Sequence, residues 1–280
     1  MFSNGLIGFY TQEPIYKMKS LIQKALNRMG WEIIRLGTKV PRDLFESIAT
    51  AYEYEISKTR TDIQHKQRRT LLLGDLIGTS SAEAYFIIES IARTNKLGGD
   101  VCEFGVAQGR TSALLANELL GTGRVLHLFD SFSGLPAPSK NDGLIDDIFN
   151  LGSLAAYEGL MSFPPEAVTN ILDRLEIPRA SYVIHPGFIA DSLKVSRSLP
   201  TKVTFAYVDF DFYDGILDAL TFVDKTSLVG TEIIVDDYDY FSSGARLAVE
   251  NFIDSKNFGI WKCQVAERVH GYFATLLRVE

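Results

Sequence analysis

The chain has 280 residues, 46% of them hydrophobic and 22% charged, with a formal net charge of -7. That gives room for one large α/β domain with an accessory segment, and the composition leaves no long disordered tract. The acidic balance excludes a general nucleic-acid binder, which needs a surplus of Lys and Arg on the face that meets phosphate.

The first residues show no charged start followed by an apolar block, so no secretory signal is expected. No run approaches the ~18 apolar residues of a membrane span, and a cytoplasmic protein is the expectation. Residues 17–29 set Met18, Leu21, Ile22, Ala25, Leu26 and Met29 on one helical face, with Lys17, Lys19, Lys24 and Arg28 around the rest. Such a basic amphipathic helix packs on its own domain or on a partner in a homo-oligomer, or makes a peripheral contact with an anionic membrane. Between Ser57 and Thr70 the apolar pattern stops while Lys58, Arg60, Lys66, Arg68 and Arg69 accumulate, which predicts a solvated connector. Residues 1–75 therefore read as a helical N-terminal segment and 76–280 as the main domain. Ser80 or Ser81 caps a helix that turns Ala84, Tyr85, Ile87, Ile88, Ile91 and Ala92 toward a core.

From residue 100 strands near 100–104, 124–130, 181–186, 203–209 and 231–236 alternate with helical patterns near 110–120, 166–176, 213–226 and 244–256. Alternation of this kind predicts parallel strands with helices on both faces. Two more β-like runs, 259–264 and 271–278, have no long helix between them, so the last strand is expected to run antiparallel. The fold class is thus α/β, a Rossmann-like sheet of seven strands as in class I methyltransferases. Cys102 and Cys263 both lie in apolar runs that read as buried strands, without the clustered His or Cys of a zinc site.

Asp100-Val-Cys-Glu-Phe-Gly-Val-Ala-Gln-Gly109 reads as a buried strand ending in a turn, where Gly105 and Gly109 let the backbone approach a ligand. The spacing lacks the G-x-G-x-x-G of a dinucleotide fold, which argues against a nicotinamide enzyme. Glu103 suits the cationic amino group of a methionine moiety, and Asp130, ending the next strand, suits the hydroxyls of a ribose. Together they point to S-adenosyl-L-methionine.

Val208-Asp-Phe-Asp-Phe-Tyr213 and Ile234-Val-Asp-Asp-Tyr238 end the fourth and fifth strands. Neighbouring parallel strands place their carboxyl ends side by side, so Asp209, Asp236 and Asp237 converge beside the turn. Carboxylates this close repel one another unless a cation joins them, and oxygen ligands favour Mg²⁺ or another hard divalent ion. A metal there lowers the pKa of a substrate hydroxyl, with Asp211 placed to take the proton.

These motifs, with Phe129-Asp-Ser-Phe-Ser-Gly-Leu-Pro136 and Gly187-Phe-Ile-Ala-Asp-Ser-Leu193, resemble in order those of the macrocin O-methyltransferase family. Its members are magnesium-dependent enzymes that methylate sugar hydroxyls. The resemblance covers about residues 75–255 and implies a sugar or glycosylated natural product as acceptor. It implies metal ligands at Asp209, Asp236 and Asp237, a base at Asp211 and cofactor contacts at Glu103, Asp130 and Ser131, while Asp191 becomes part of the adenine-side wall or a structural cap. Phe210 stands where the family commonly has glycine. The rival readings are a catechol-type phenolic O-methyltransferase and a non-catalytic cofactor-binding protein of the same fold. The segment 136–165, with Asp142, Asp146 and Asp147, is long enough for a lid that helps choose the substrate. Of the histidines, His127 and His65 read as structural or solvated, while His185, ending the third strand, and His270 keep a small chance of a functional role.

Overall fold

A computed structural model describes residue 54, residues 58–60, 62–256 and 259–280. The amphipathic stretch 17–29 lies outside the described residues.

Seven strands form one sheet: β1 (Asp100–Phe104), β2 (Leu126–Asp130), β3 (Tyr182–Pro186), β4 (Val203–Val208), β5 (Ser227–Val235), β6 (Trp261–Val265) and β7 (Ala274–Arg278). Their order across the sheet is β3-β2-β1-β4-β5-β7-β6. β1 to β5 are mutually parallel, and β7 runs antiparallel to both β5 and β6. The expected architecture holds.

Helices α1 (Arg69–Gly74), α2 (Ser81–Thr94), α3 (Arg110–Leu119), α4 (Pro165–Arg174), α5 (Ile189–Val195), α6 (Tyr213–Thr226) and α7 (Ser243–Lys256) surround it. Successive strand residues point to opposite faces. Cys102, Phe104, Ala206 and Val208 accordingly join one apolar cluster with Ile216 and Leu220 of α6 and Val249 of α7. Val101, Phe205 and Tyr207 join another with Ile87 and Ile91 of α2 and Leu115 of α3. α5 was not anticipated; seven residues are too few for a readable apolar period.

Two expectations are corrected. Cys263 is exposed, because β6 is the edge strand and only Trp261 in it is buried. The basic run before α2 is not simply solvated. Arg69 is 2% exposed and donates to Glu118 from Nε (2.9 Å) and Nη2 (2.5 Å), and Lys66 Nζ donates to the Leu120 carbonyl at 2.5 Å. Leu72 and Leu73 of α1 pack with Ile88 and Leu114, so the stretch folds onto the sheet's helices and takes its charges along. Among the described residues no helix is long and apolar enough to cross a membrane.

Candidate active site

The carboxyl ends of the central strands meet at one level. Gly105 N–H donates to Phe129 O at 2.9 Å, Asp209 N–H to Phe104 O at 2.7 Å and Asp236 N–H to Val208 O at 2.8 Å. The glycine turn, Asp130, Asp209 and the Asp236–Asp237 pair therefore share one edge, where ligands of open α/β sheets bind.

Gly105 has φ +91°, and a Cβ there would overlap the backbone carbonyl of Asp209, so only glycine lets β1 and β4 approach here. Gly109, at φ +82°, stands at the N-cap of α3. Asp130 Oδ2 accepts N–H groups from Val106 (2.7 Å) and Ala107 (3.0 Å), and its Oδ1 accepts from Phe132 (2.6 Å). An ionised carboxylate has about four acceptor sites. Three are used in shaping the turn, which leaves one acceptor site. Ser131 Oγ donates to Gly134 O at 2.9 Å and shapes the next bend.

Glu103 lies beneath the turn, fully buried. Its Oε2 accepts from Ser112 Oγ at 2.5 Å while Oε1 has no partner. Burial pushes its carboxyl well above the usual range, against the Ser112 hydrogen bond. Asp191 stands apart from this group, on α5, with its side chain 74% exposed and 3.5 Å from Lys194 Nζ. His185 is buried away from solvent, its Nε2 2.9 Å from His127 Nδ1 and its ring stacked on Phe129, and burial brings it down to about 4. It serves packing.

At the acidic cluster Asp209, Asp211 and Asp237 each bring one carboxylate oxygen within 4.8 Å of the others. Asp211 (φ +60°) and Asp237 (φ +54°) hold left-handed backbone conformations, which aspartate tolerates better than most residues and which concentrate at functional sites. Asp236 turns toward the interior. Its Oδ2 accepts from Tyr207 Oη at 2.5 Å and its Oδ1 from the Asp237 N–H at 2.7 Å. It still adjoins the others. Burial, then the charges of Asp236, Asp211, Asp237 and Glu83, push the Asp209 carboxyl well up.

Two neighbours were not anticipated. Glu83, 2% exposed at the third position of α2, completes a capping box with Ser80, whose Oγ accepts the Glu83 N–H at 3.0 Å. Its carboxyl also abuts Asp236, and burial followed by the charges of Asp236 and Asp237 drives it well up. Tyr207 is kept a neutral phenol by burial first and Asp236 second. The sequence signalled Glu83 only as a cap and Tyr207 only as a strand aromatic.

The lid segment is packed. Leu135, Leu151, Leu154, Tyr157 and Leu160 form an apolar cluster with Phe212 and Phe241. Asp142 Oδ1 accepts the Tyr213 N–H at 2.8 Å at the start of α6, and Asp147 Oδ1 accepts from Tyr157 Oη at 2.6 Å. The Tyr240 hydroxyl bonds Asp146, and its ring stacks on Tyr272 at 4.5 Å. Asp142 and Asp146 fasten the segment to the stretches that follow β4 and β5, while Asp147 ties it to itself.

A sheet of this order, with its one reversed strand and a glycine turn closing β1, defines a class I S-adenosylmethionine-dependent methyltransferase fold. The chain belongs to the macrocin-O-methyltransferase (TylF) family, which it matches over residues 76–260, and it is an S-adenosylmethionine-dependent O-methyltransferase. Among solved structures it is similar to the O-methyltransferase NovP, at 18% identity and TM-score 0.62 over 86% of this chain and 100% of that one. It is also similar to the calicheamicin methyltransferase CalS11 (17%, TM-score 0.51, 86% and 94%). A third is the O-methyltransferase TomG from Streptomyces achromogenes (15%, TM-score 0.50, 86% and 100%). At such identities the likeness is one of fold. No curated protein matches the sequence.

Proposed function

We propose that this enzyme methylates a hydroxyl of a sugar or glycosylated natural product with the help of a divalent cation. The observation that carries the metal is the convergence of Asp209, Asp211 and Asp237 beside buried Asp236, with the Asp209 carboxyl driven upward by burial and by the charges around it. The donor set is all oxygen, which fits Mg²⁺ or a similar hard ion. The family and the CalS11 enzyme, described as a TDP-rhamnose 3'-O-methyltransferase, support a sugar acceptor.

Asp209, Asp236 and Asp237 would hold the cation, and Asp211 takes the proton from the acceptor hydroxyl. When bound, the cation would supply Lewis acidity that lowers the pKa of that hydroxyl. S-adenosylmethionine supplies the electrophilic methyl group. The turn at Gly105 and Gly109 gives the cofactor close access to backbone, with Glu103 beneath it, Asp130 offering its remaining acceptor site and Ser131 shaping the next bend. Asp191, exposed on α5, contributes at most to the outer wall. The lid, held by Asp142 and Asp146, bounds the acceptor side and keeps water out.

A second reading makes Asp211 a ligand, because its oxygen already lies with those of Asp209 and Asp237. Asp211→Asn separates the two. As a base its loss lowers kcat by about 10²–10⁴-fold while calorimetric Mn²⁺ affinity is kept; as a ligand it loses both. For the whole proposal, transfer of labelled methyl is measured on sugar nucleotides, glycosides and catechols with and without chelator. Chelator-insensitive transfer would overturn the metal, and turnover of catechols alone would overturn the acceptor.

A further inference from the structure

The polar side chains of this enzyme form a second, wholly internal arrangement that begins in the first turn of α3 and ends on Asp236. Thr111 Oγ1 lies 2.8 Å from Thr79 Oγ1, Thr79 Oγ1 lies 3.2 Å from Tyr207 Oη, and Tyr207 Oη lies 2.5 Å from Asp236 Oδ2. All four residues are buried. Thr111 stands two positions after Gly109, the last glycine of the cofactor turn, while Thr79 precedes the N-cap of α2.

Proton bookkeeping fixes the direction of this chain. An ionised Asp236 can only accept, so Tyr207 spends its one O–H on it. Tyr207 can then only accept from Thr79, which in turn accepts from Thr111. Tyr207 and Thr79 each give one hydrogen bond and take one, Thr111 gives one, and aligned chains of this kind polarise one another in a low-dielectric interior. The other oxygen of Asp236 is held by the Asp237 N–H, so the carboxylate is pinned at both ends. Tyr207 pairs in register with Glu103 on β1 and Ile234 on β5, so its ring is fixed by the centre of the sheet rather than by a loop.

We infer that Tyr207 is a positioning residue of the reaction, setting the orientation of Asp236 for the cation through a hydroxyl chain anchored beside the cofactor turn. The inference rests on the proposed role of Asp236 as a ligand. Outer partners of metal-binding carboxylates typically change metal affinity by about 10–100-fold. A phenylalanine at 207 would keep the ring and lose only the donor.

The test compares wild type with Tyr207→Phe, Thr79→Val and Asp236→Asn by calorimetric titration with Mn²⁺, by affinity for S-adenosylhomocysteine, and by kcat and KM. The expected result for Tyr207→Phe is Mn²⁺ affinity weakened about tenfold, kcat reduced with it, and unchanged S-adenosylhomocysteine affinity, which also reports an intact fold. Thr79→Val leaves Tyr207 in place and should weaken Mn²⁺ by about threefold; it carries the test if the Tyr207 variant does not fold. Asp236→Asn should abolish Mn²⁺ binding. Wild-type Mn²⁺ affinity in both hydroxyl variants, with binding lost in Asp236→Asn, overturns the positioning role alone. Retained binding in Asp236→Asn overturns the ligand reading and this inference with it.

Discussion

Two of the buried acidic sites are treated by the protein in opposite ways. Under α1, Glu118 meets the guanidinium of Arg69 through two hydrogen bonds, and the Gln64 carbonyl takes a further donor from Arg69 at 2.6 Å. At the ends of β4 and β5, Asp209 is surrounded by Asp211, Asp236, Asp237 and Glu83, and what acts on it besides burial is further negative charge. Asp130 shows a third solution, since backbone N–H groups of the turn occupy most of its acceptor sites. Where the fold needs a buried carboxylate for itself, it provides the partner. On the reading proposed above, the cluster takes its partner from outside, as a cation.

The largest effect expected from this contrast belongs to the internal pair. Arg69→Met leaves Glu118 buried without its two guanidinium bonds, and should cost roughly 3–5 kcal/mol in chemical denaturation. The double change Arg69→Met with Glu118→Leu should recover most of that loss, because an apolar replacement of a whole buried pair is often neutral or stabilising. No recovery in the double variant would mean that α1 depends on the charges themselves. Gly105→Ala comes next. Its Cβ meets the Asp209 carbonyl at a backbone angle that alanine resists, so about 2–4 kcal/mol of stability should go. Because the same strain separates the turn from Asp209, affinities for S-adenosylhomocysteine and Mn²⁺ should fall together. A variant that loses stability but neither affinity would uncouple the turn from the cluster.

Much of this was legible in the sequence, because the relevant signals are local. The strands of the parallel core read as apolar runs, the glycine turn as a spacing, and the paired acids as strand ends that topology brings together. What escaped depended on neighbours distant in the chain. Arg69 reads as one more surface cation until Glu118, 49 positions away, is seen beside it. Cys263 sits in a strand pattern that does not reveal its place at the sheet's edge. Glu83 satisfies a capping box so well that nothing local marks its second contact, with Asp236. Within the cluster, spacing predicted that Asp209, Asp236 and Asp237 converge, whereas the carboxylate oxygens that lie together are those of Asp209, Asp211 and Asp237, because Asp236 turns toward Tyr207.

The smallest effect discriminates most finely between the two kinds of buried charge. Asp209, Glu83 and Asp236 have carboxyl groups raised above their unfolded values by burial first. Raised carboxyl groups contribute stability that is full below an unfolded pKa of about 4 and is lost as pH rises through the folded values. A bound cation reverses this loss by favouring the ionised cluster, so the stabilisation gained from Mg²⁺ should grow with pH. The His127–His185 pair titrates with the opposite sign: both are lowered, so their contribution is full above about pH 6.5 and is lost as pH falls toward 4. That contribution is the same with and without cation and cancels in the difference between the two melting curves. At ten times Kd the ligand term is about 1.4 kcal/mol, which for a domain of this size raises Tm by roughly 3–6 °C. Scanning calorimetry with and without Mg²⁺ at pH 5 and pH 8 should show a smaller Tm increment at the lower pH than at the higher. A pH-independent increment would locate the ion elsewhere, on groups that the fold has already left ionised.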